Sequence, residues 1–124
     1  MNKKEIGDYG EKLAVRYLRR KFFRIVQRNF KARHGEIDII AKNRKYLVFC
    51  EVKTRSDTEN LKYYGNPSSA VNYAKQKHII SAVKEYLLNN NTSLVPRIDI
   101  IEVYLCPDNM KNYRIEHIEN AFGE

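Results

Sequence analysis

Asp38, Glu51 and Lys53 are charged residues set into apolar, strand-forming sequence. They lie in Gly35-Glu36-Ile37-Asp38-Ile39-Ile40-Ala41 and in Tyr46-Leu47-Val48-Phe49-Cys50-Glu51-Val52-Lys53-Thr54, two runs separated by a short polar turn. Charge buried in such strands loses hydration and needs compensation. A divalent cation held by the two carboxylates would supply it. Oxygen ligands suit magnesium or manganese, and His34, His78 and His117 are too scattered for a zinc site. Lys53 lies two residues from Glu51, so it shares that residue's face of the strand. In phosphodiester hydrolysis it would position the attacking water and stabilise charge growing on the phosphate. The competing reading is a Glu–Lys ion pair at a sheet edge.

Register decides between them. A two-residue loop at Arg44-Lys45 puts Asp38 directly opposite Glu51, with Cβ atoms about 5 Å apart. A slip of one residue would send the carboxylates to opposite faces. Cys50 then alternates onto the other face and packs as a small apolar residue. Residues 3–21 read as a helix with Ile6, Gly10, Leu13, Ala14, Tyr17 and Leu18 on a buried stripe. Glu11 falls on the rim of that stripe, beside glycines that permit close approach, and is a candidate third acid. In the second helix Lys75 projects within the apolar face formed by Val71, Ala74, His78, Ala82, Val83 and Tyr86, with Gln76 on the adjoining flank.

At 124 residues the chain is expected to form one domain. The start, Met1-Asn2-Lys3-Lys4-Glu5, lacks a signal-peptide stretch, and no run suits a membrane span, so a cytoplasmic protein without membrane contact is expected. Residues 1–33 hold 11 Lys/Arg against three acidic residues, whereas the other 91 residues hold 12 of each sign. The positive excess therefore lies wholly in the first helix and following strand, where Arg16, Arg19, Arg20, Arg24 and Arg28 suggest nucleic acid as partner. Tyr63 and Tyr64 are candidates for stacking on bases.

Phe22 to Phe30 reads as a strand, followed by the two strands above, a polar loop, the second helix to about Asn90, and strands at Arg97–Leu105 and Tyr113–Ile118. Helix, three strands, helix, two strands implies an α/β domain, with a mixed sheet covered by helices on both faces. The second helix is the one connection long enough to cross over to a parallel strand.

The set Gly7-x-x-Gly10-Glu11, Gly35-Glu36-Ile37-Asp38, Glu51-Val52-Lys53-Thr54-Arg55, Lys75-Gln76 and Arg97-x-Asp99 resembles the YraN-like family of small bacterial proteins. That family looks like a branch of the restriction-endonuclease-like superfamily, similar to archaeal Holliday junction resolvases. The resemblance implies a three-layer α/β/α domain over residues 1–124. It implies catalytic roles for Glu11, Asp38, Glu51 and Lys53, and a magnesium or manganese site at Asp38, Glu51 and Val52. Nucleic-acid contacts are expected at Arg16, Arg19, Arg20, Arg55, Lys75 and Gln76. Ile37 stands where the superfamily motif has proline. The expected function is a metal-dependent endonuclease acting on DNA, with branched or structured DNA as a candidate substrate and a homodimer as a candidate assembly. The alternative is a non-catalytic nucleic-acid-binding module of the same fold.

Overall fold

A computed structural model describes residues 1–56, 71–106 and 108–123; Tyr63 and Tyr64 lie outside the described residues. Helix α1 (Lys3–Arg20) leads into strands β1 (Arg24–Lys31), β2 (Glu36–Lys42) and β3 (Tyr46–Ser56). Helix α2 (Tyr73–Asn89) and strands β4 (Val95–Leu105) and β5 (Tyr113–Ile118) follow. The five strands form one sheet in sequential order, antiparallel except for the parallel β3–β4 pair. The crossover expected of the second helix is thus present.

Each helix covers one face. Leu13, Ala14, Val15 and Leu18 of α1 pack on Ile39, Ala41, Val48, Cys50, Ile101 and Val103. Ile79, Ala82, Val83 and Tyr86 of α2 pack on Ile40, Leu47, Phe49, Ile98 and Ile100. Two residues placed on the inner face of α2 by helical projection, Ala74 and His78, are exposed, and Ile79 takes the central place instead. The projection assumed a helix already formed by Val71, whereas Asn72 caps it, accepting from the Lys75 amide at 2.9 Å. Without Val71 in the helix, its buried face centres on Ile79, Ala82, Val83 and Tyr86.

Two local devices fix α1. At its start, Asn2 and Glu5 form a capping box, with the Glu5 amide donating to Asn2 Oδ1 at 2.8 Å and the Asn2 amide donating to Glu5 Oε1 at 3.1 Å. At its end, the Phe23 amide donates to the Leu18 carbonyl and the Phe22 amide to the Arg19 carbonyl. This is a Schellman turn, with Phe22 at φ 69° in the left-handed position that usually holds glycine. Phe22 therefore ends the helix, and the strand expected from it begins at Arg24.

The β2–β3 hairpin has the expected register, pairing Ile39 with Cys50 and Lys42 with Leu47. The turn contains no glycine; Asn43 Oδ1 organises it by accepting from the amides of Lys45 (2.9 Å) and Tyr46 (2.8 Å). Strand β4 is buried along most of its length and carries two acids, Asp99 and Glu102, both with no exposure. Asp99 accepts two bonds from Arg97 at 2.9 Å, one from His117 Nε2 at 2.6 Å and one from the Asn120 amide at 3.0 Å. The network extends to the Tyr17 hydroxyl, 2.9 Å from His117 Nδ1. Arg97-x-Asp99 is thus a framework motif that ties α1 to β4 and β5.

Candidate functional site

The site lies where β2 and β3 part. Their ladder stops at the Ile39–Cys50 pair. At the next position the Asp38 side chain takes over, its Oδ2 accepting from the Val52 amide at 2.8 Å. Ile39 and Ala41 pack in the α1 layer, but Ile37 joins Ile40 in the α2 layer, so strict alternation breaks at Asp38. Between the two β1 partners of this stretch, Arg28 and Phe30, lies Asn29 at φ 53°. A left-handed residue in one strand bends the pair locally, and here the bend accompanies the parting of β2 from β3.

Asp38 and Glu51 meet as the register demanded, and their carboxyl groups share a hydrogen bond. Glu51 is 7% exposed. Burial and the Asp38 charge push its pKa up to about 7, with Lys75 and Lys53 opposing. Burial also raises Asp38, against the bonds from the Val52 amide and Glu51. Below about pH 7 the pair therefore tends to keep one proton, on Glu51. Lys75 reaches over from α2 to bring Nζ within 3.9 Å of Glu51 Oε2. Its neighbour Gln76 instead bonds the Val71 carbonyl at 2.9 Å, fixing the approach to the helix.

Asp38, Val52, Lys53 and Thr54 line a cleft of about 370 Å³ with Lys3, Lys4, Gly7, Asp8 and Glu11 of α1. Gly10 makes this junction possible. A Cβ there would lie 1.9 Å from Thr54 Oγ1 and 2.8 Å from Thr54 Cβ, so only glycine lets α1 settle against β3. Glu11 reaches the cleft with its carboxylate already engaged: Oε1 accepts from Arg28 Nε at 3.1 Å and from Asn29 Nδ2 at 3.3 Å. Burial raises its pKa, opposed by Arg28. Among the described residues no set of three His, Cys, Asp or Glu side chains forms a metal-binding group. The groups that could hold a cation are the two carboxylates, with the Val52 main chain beside Asp38. That suits magnesium, which keeps several waters and is commonly held by one or two carboxylates plus substrate phosphate.

The arginines expected to bind nucleic acid divide into two groups. Arg16, Arg19, Arg20 and Arg24 are exposed and make no ion pair among the described residues. Arg28 is paired with Glu11 at 3.0 Å, and Arg55 with the buried Glu102 at 3.0 Å. Both are held in place by carboxylates rather than presented to a ligand. Lys3 and Lys4 were not singled out in the sequence, where they read only as part of the basic first third. Nothing local to them marks a cleft, because the cleft exists only once α1 lies across β3.

Comparison with known proteins agrees with this reading of the motifs. Residues 10–103 match the family described as "Uncharacterised protein family UPF0102". A UPF0102 protein of Alkaliphilus oremlandii is 49% identical over 98% of this chain and its own full length. One from Clostridioides difficile is 46% identical over 98% of this chain and all of its own. One from Caldanaerobacter subterraneus is 43% identical over 98% of both. The chain therefore belongs to the UPF0102 family, which is the YraN-like family its motifs resemble.

Proposed function

We propose that the protein is a metal-dependent endonuclease acting on DNA. One observation carries the reading: a buried carboxylate on β3, Glu51, and a half-buried one on β2, Asp38, hydrogen-bond to each other beside a cleft that Lys53 lines. Placing both acids there costs desolvation that a purely structural pair would not need. When bound, magnesium or manganese would polarise a phosphodiester and lower the pKa of a water. Asp38 and Glu51 would hold that cation, and the Val52 amide fixes the orientation of Asp38. Lys53 would orient the attacking water and stabilise charge on the phosphate, while Lys3 and Lys4 at the cleft rim attract the polyanion. The test is cleavage of duplex, single-stranded, flap and four-way DNA, and of RNA, with magnesium or manganese. Asp38→Ala and Lys53→Ala should each abolish cleavage while leaving substrate affinity within about threefold, since each removes one contact among many. Wild-type protein that cuts none of these with either metal would end the enzymatic reading.

A binding module without turnover is the second reading, favoured by Arg16, Arg19, Arg20 and Arg24 standing exposed. If those four meet phosphates, log K against log salt should slope at about −3.5. That slope without cleavage would select this reading.

A further inference from the structure

We infer that Phe22 is a stacking contact for an unpaired base, held out from the turn after α1 within the patch formed by Arg19, Arg20, Lys21 and Arg24. The inference rests on the nucleic-acid reading above and deepens it from a polyanion in general to strands with exposed bases.

Phe22 is 91% exposed, the highest value among the large apolar side chains of the described residues. It also occupies a left-handed backbone position, φ 69°, that disfavours any residue with a Cβ. Hydration and conformation thus both oppose phenylalanine here. The turn does not need its ring: the backbone bonds from Phe22 to Arg19 and from Phe23 to Leu18 form the cap, and Phe23 packs on the α1 layer. Glycine would close the same turn with less strain. An outlier of this kind, with no packing role, points to a task outside the fold.

The surroundings indicate which task. Arg19, Arg20, Lys21 and Arg24 are exposed, and none forms an ion pair among the described residues. Arginines in the last turn also complement the helix dipole, but that accounts for the cations and not for the ring. An aromatic face within cationic side chains is the combination that grips single strands: cations track the backbone while a base stacks on the ring. A paired base within a duplex offers no such face. Phe22 lies about 16 Å from Glu11 along α1, at 1.5 Å per residue.

Because glycine fits the turn better, Phe22→Gly separates function from folding. Binding to a labelled single-stranded oligonucleotide and to its duplex is measured by fluorescence anisotropy for wild type, Phe22→Gly and Phe22→Trp. Phe22→Gly should weaken single-strand binding by about 5- to 100-fold, keep the salt slope, change duplex affinity by less than about twofold, and melt at higher temperature. Phe22→Trp should retain single-strand affinity. Wild-type single-strand affinity in Phe22→Gly, or an equal loss on duplex, would overturn the inference while leaving the nuclease reading intact. Phosphatidylserine vesicles that bind wild type but not Phe22→Gly, with oligonucleotide affinity unaltered, would assign the ring to a membrane surface and overturn it too. Failure of wild type to bind any nucleic acid would remove both readings together.

Discussion

The acidic pair makes a specific demand on pH. Glu51 has an ordinary pKa of 4.5 and a folded value of about 7. The folded protein therefore binds more protons than the unfolded chain between those values, and stability falls as pH rises through that window. At 1.36 kcal/mol per unit the loss is up to about 3 kcal/mol, undiminished by solvent because Glu51 is buried. For a chain of this size that corresponds to roughly 10 °C in Tm between pH 5 and pH 8. Other groups also contribute to the pH profile of the whole protein, so the informative quantity is the difference from Glu51→Gln. That variant keeps a neutral hydrogen-bonding side chain and should show a flatter profile, exceeding wild type in metal-free buffer at pH 8. Manganese should raise the wild-type Tm at pH 8, where both acids are ionised, and leave Glu51→Gln unmoved. Melting curves by circular dichroism at five or so pH values suffice. Parallel profiles for the two proteins, or equal manganese shifts, would refute the assignment of a shared proton at a cation site.

Gly10→Ala should destabilise by about 1–3 kcal/mol in denaturant titration, although helix propensity alone would favour alanine by about 1 kcal/mol. The overlap with Thr54 sets the sign, and Thr54→Ala in the same chain should recover part of the loss. Asp99→Asn should cost about 3–5 kcal/mol, since it leaves the Arg97 guanidinium without its buried counter-charge and disturbs the hydrogen bond with His117. Burial would raise the Asp99 pKa, but the bonds from His117, Arg97 and the Asn120 amide hold it below the usual value. That share of stability is present above the ordinary carboxylate pKa and lost as pH falls through the folded one, so Asp99→Asn should flatten the acid limb of unfolding. Lys75→Met should raise the Glu51 pKa further by removing its opposing charge, detectable by carboxyl-carbon NMR titration.

Much of this architecture is written in short-range pattern. The two-residue turn and the alternation of Tyr46 to Cys50 determine the hairpin register, and with it the meeting of Asp38 and Glu51. The length of the second helical segment forces the parallel β3–β4 pairing. What escaped the sequence depends on contacts between distant residues. Gly7 and Gly10 look alike in the chain, yet an added Cβ at Gly7 meets nothing within 4 Å while one at Gly10 strikes Thr54. Arg28 and Arg55 look like any cationic contact until Glu11 and Glu102 are seen to hold them. The buried Asp99 and Glu102 sit in a strand whose isoleucines and valines dominate its pattern. Nor does any pattern announce a phenylalanine in a glycine's place: Phe22 reads as the first residue of a strand.

The outer margin of the sheet has a consequence for how molecules of this protein meet. Strand β1 slips register between Ile25 and Gln27 and turns left-handed at Asn29, with Arg24, Arg28 and Lys31 along it. A visiting chain seeking to extend the sheet needs a straight, evenly spaced row of amide and carbonyl groups, and here finds two interruptions within eight residues, flanked by like charges. The irregularity that accompanies the opening around Asp38 thus also makes this margin a poor template for fibre-like stacking.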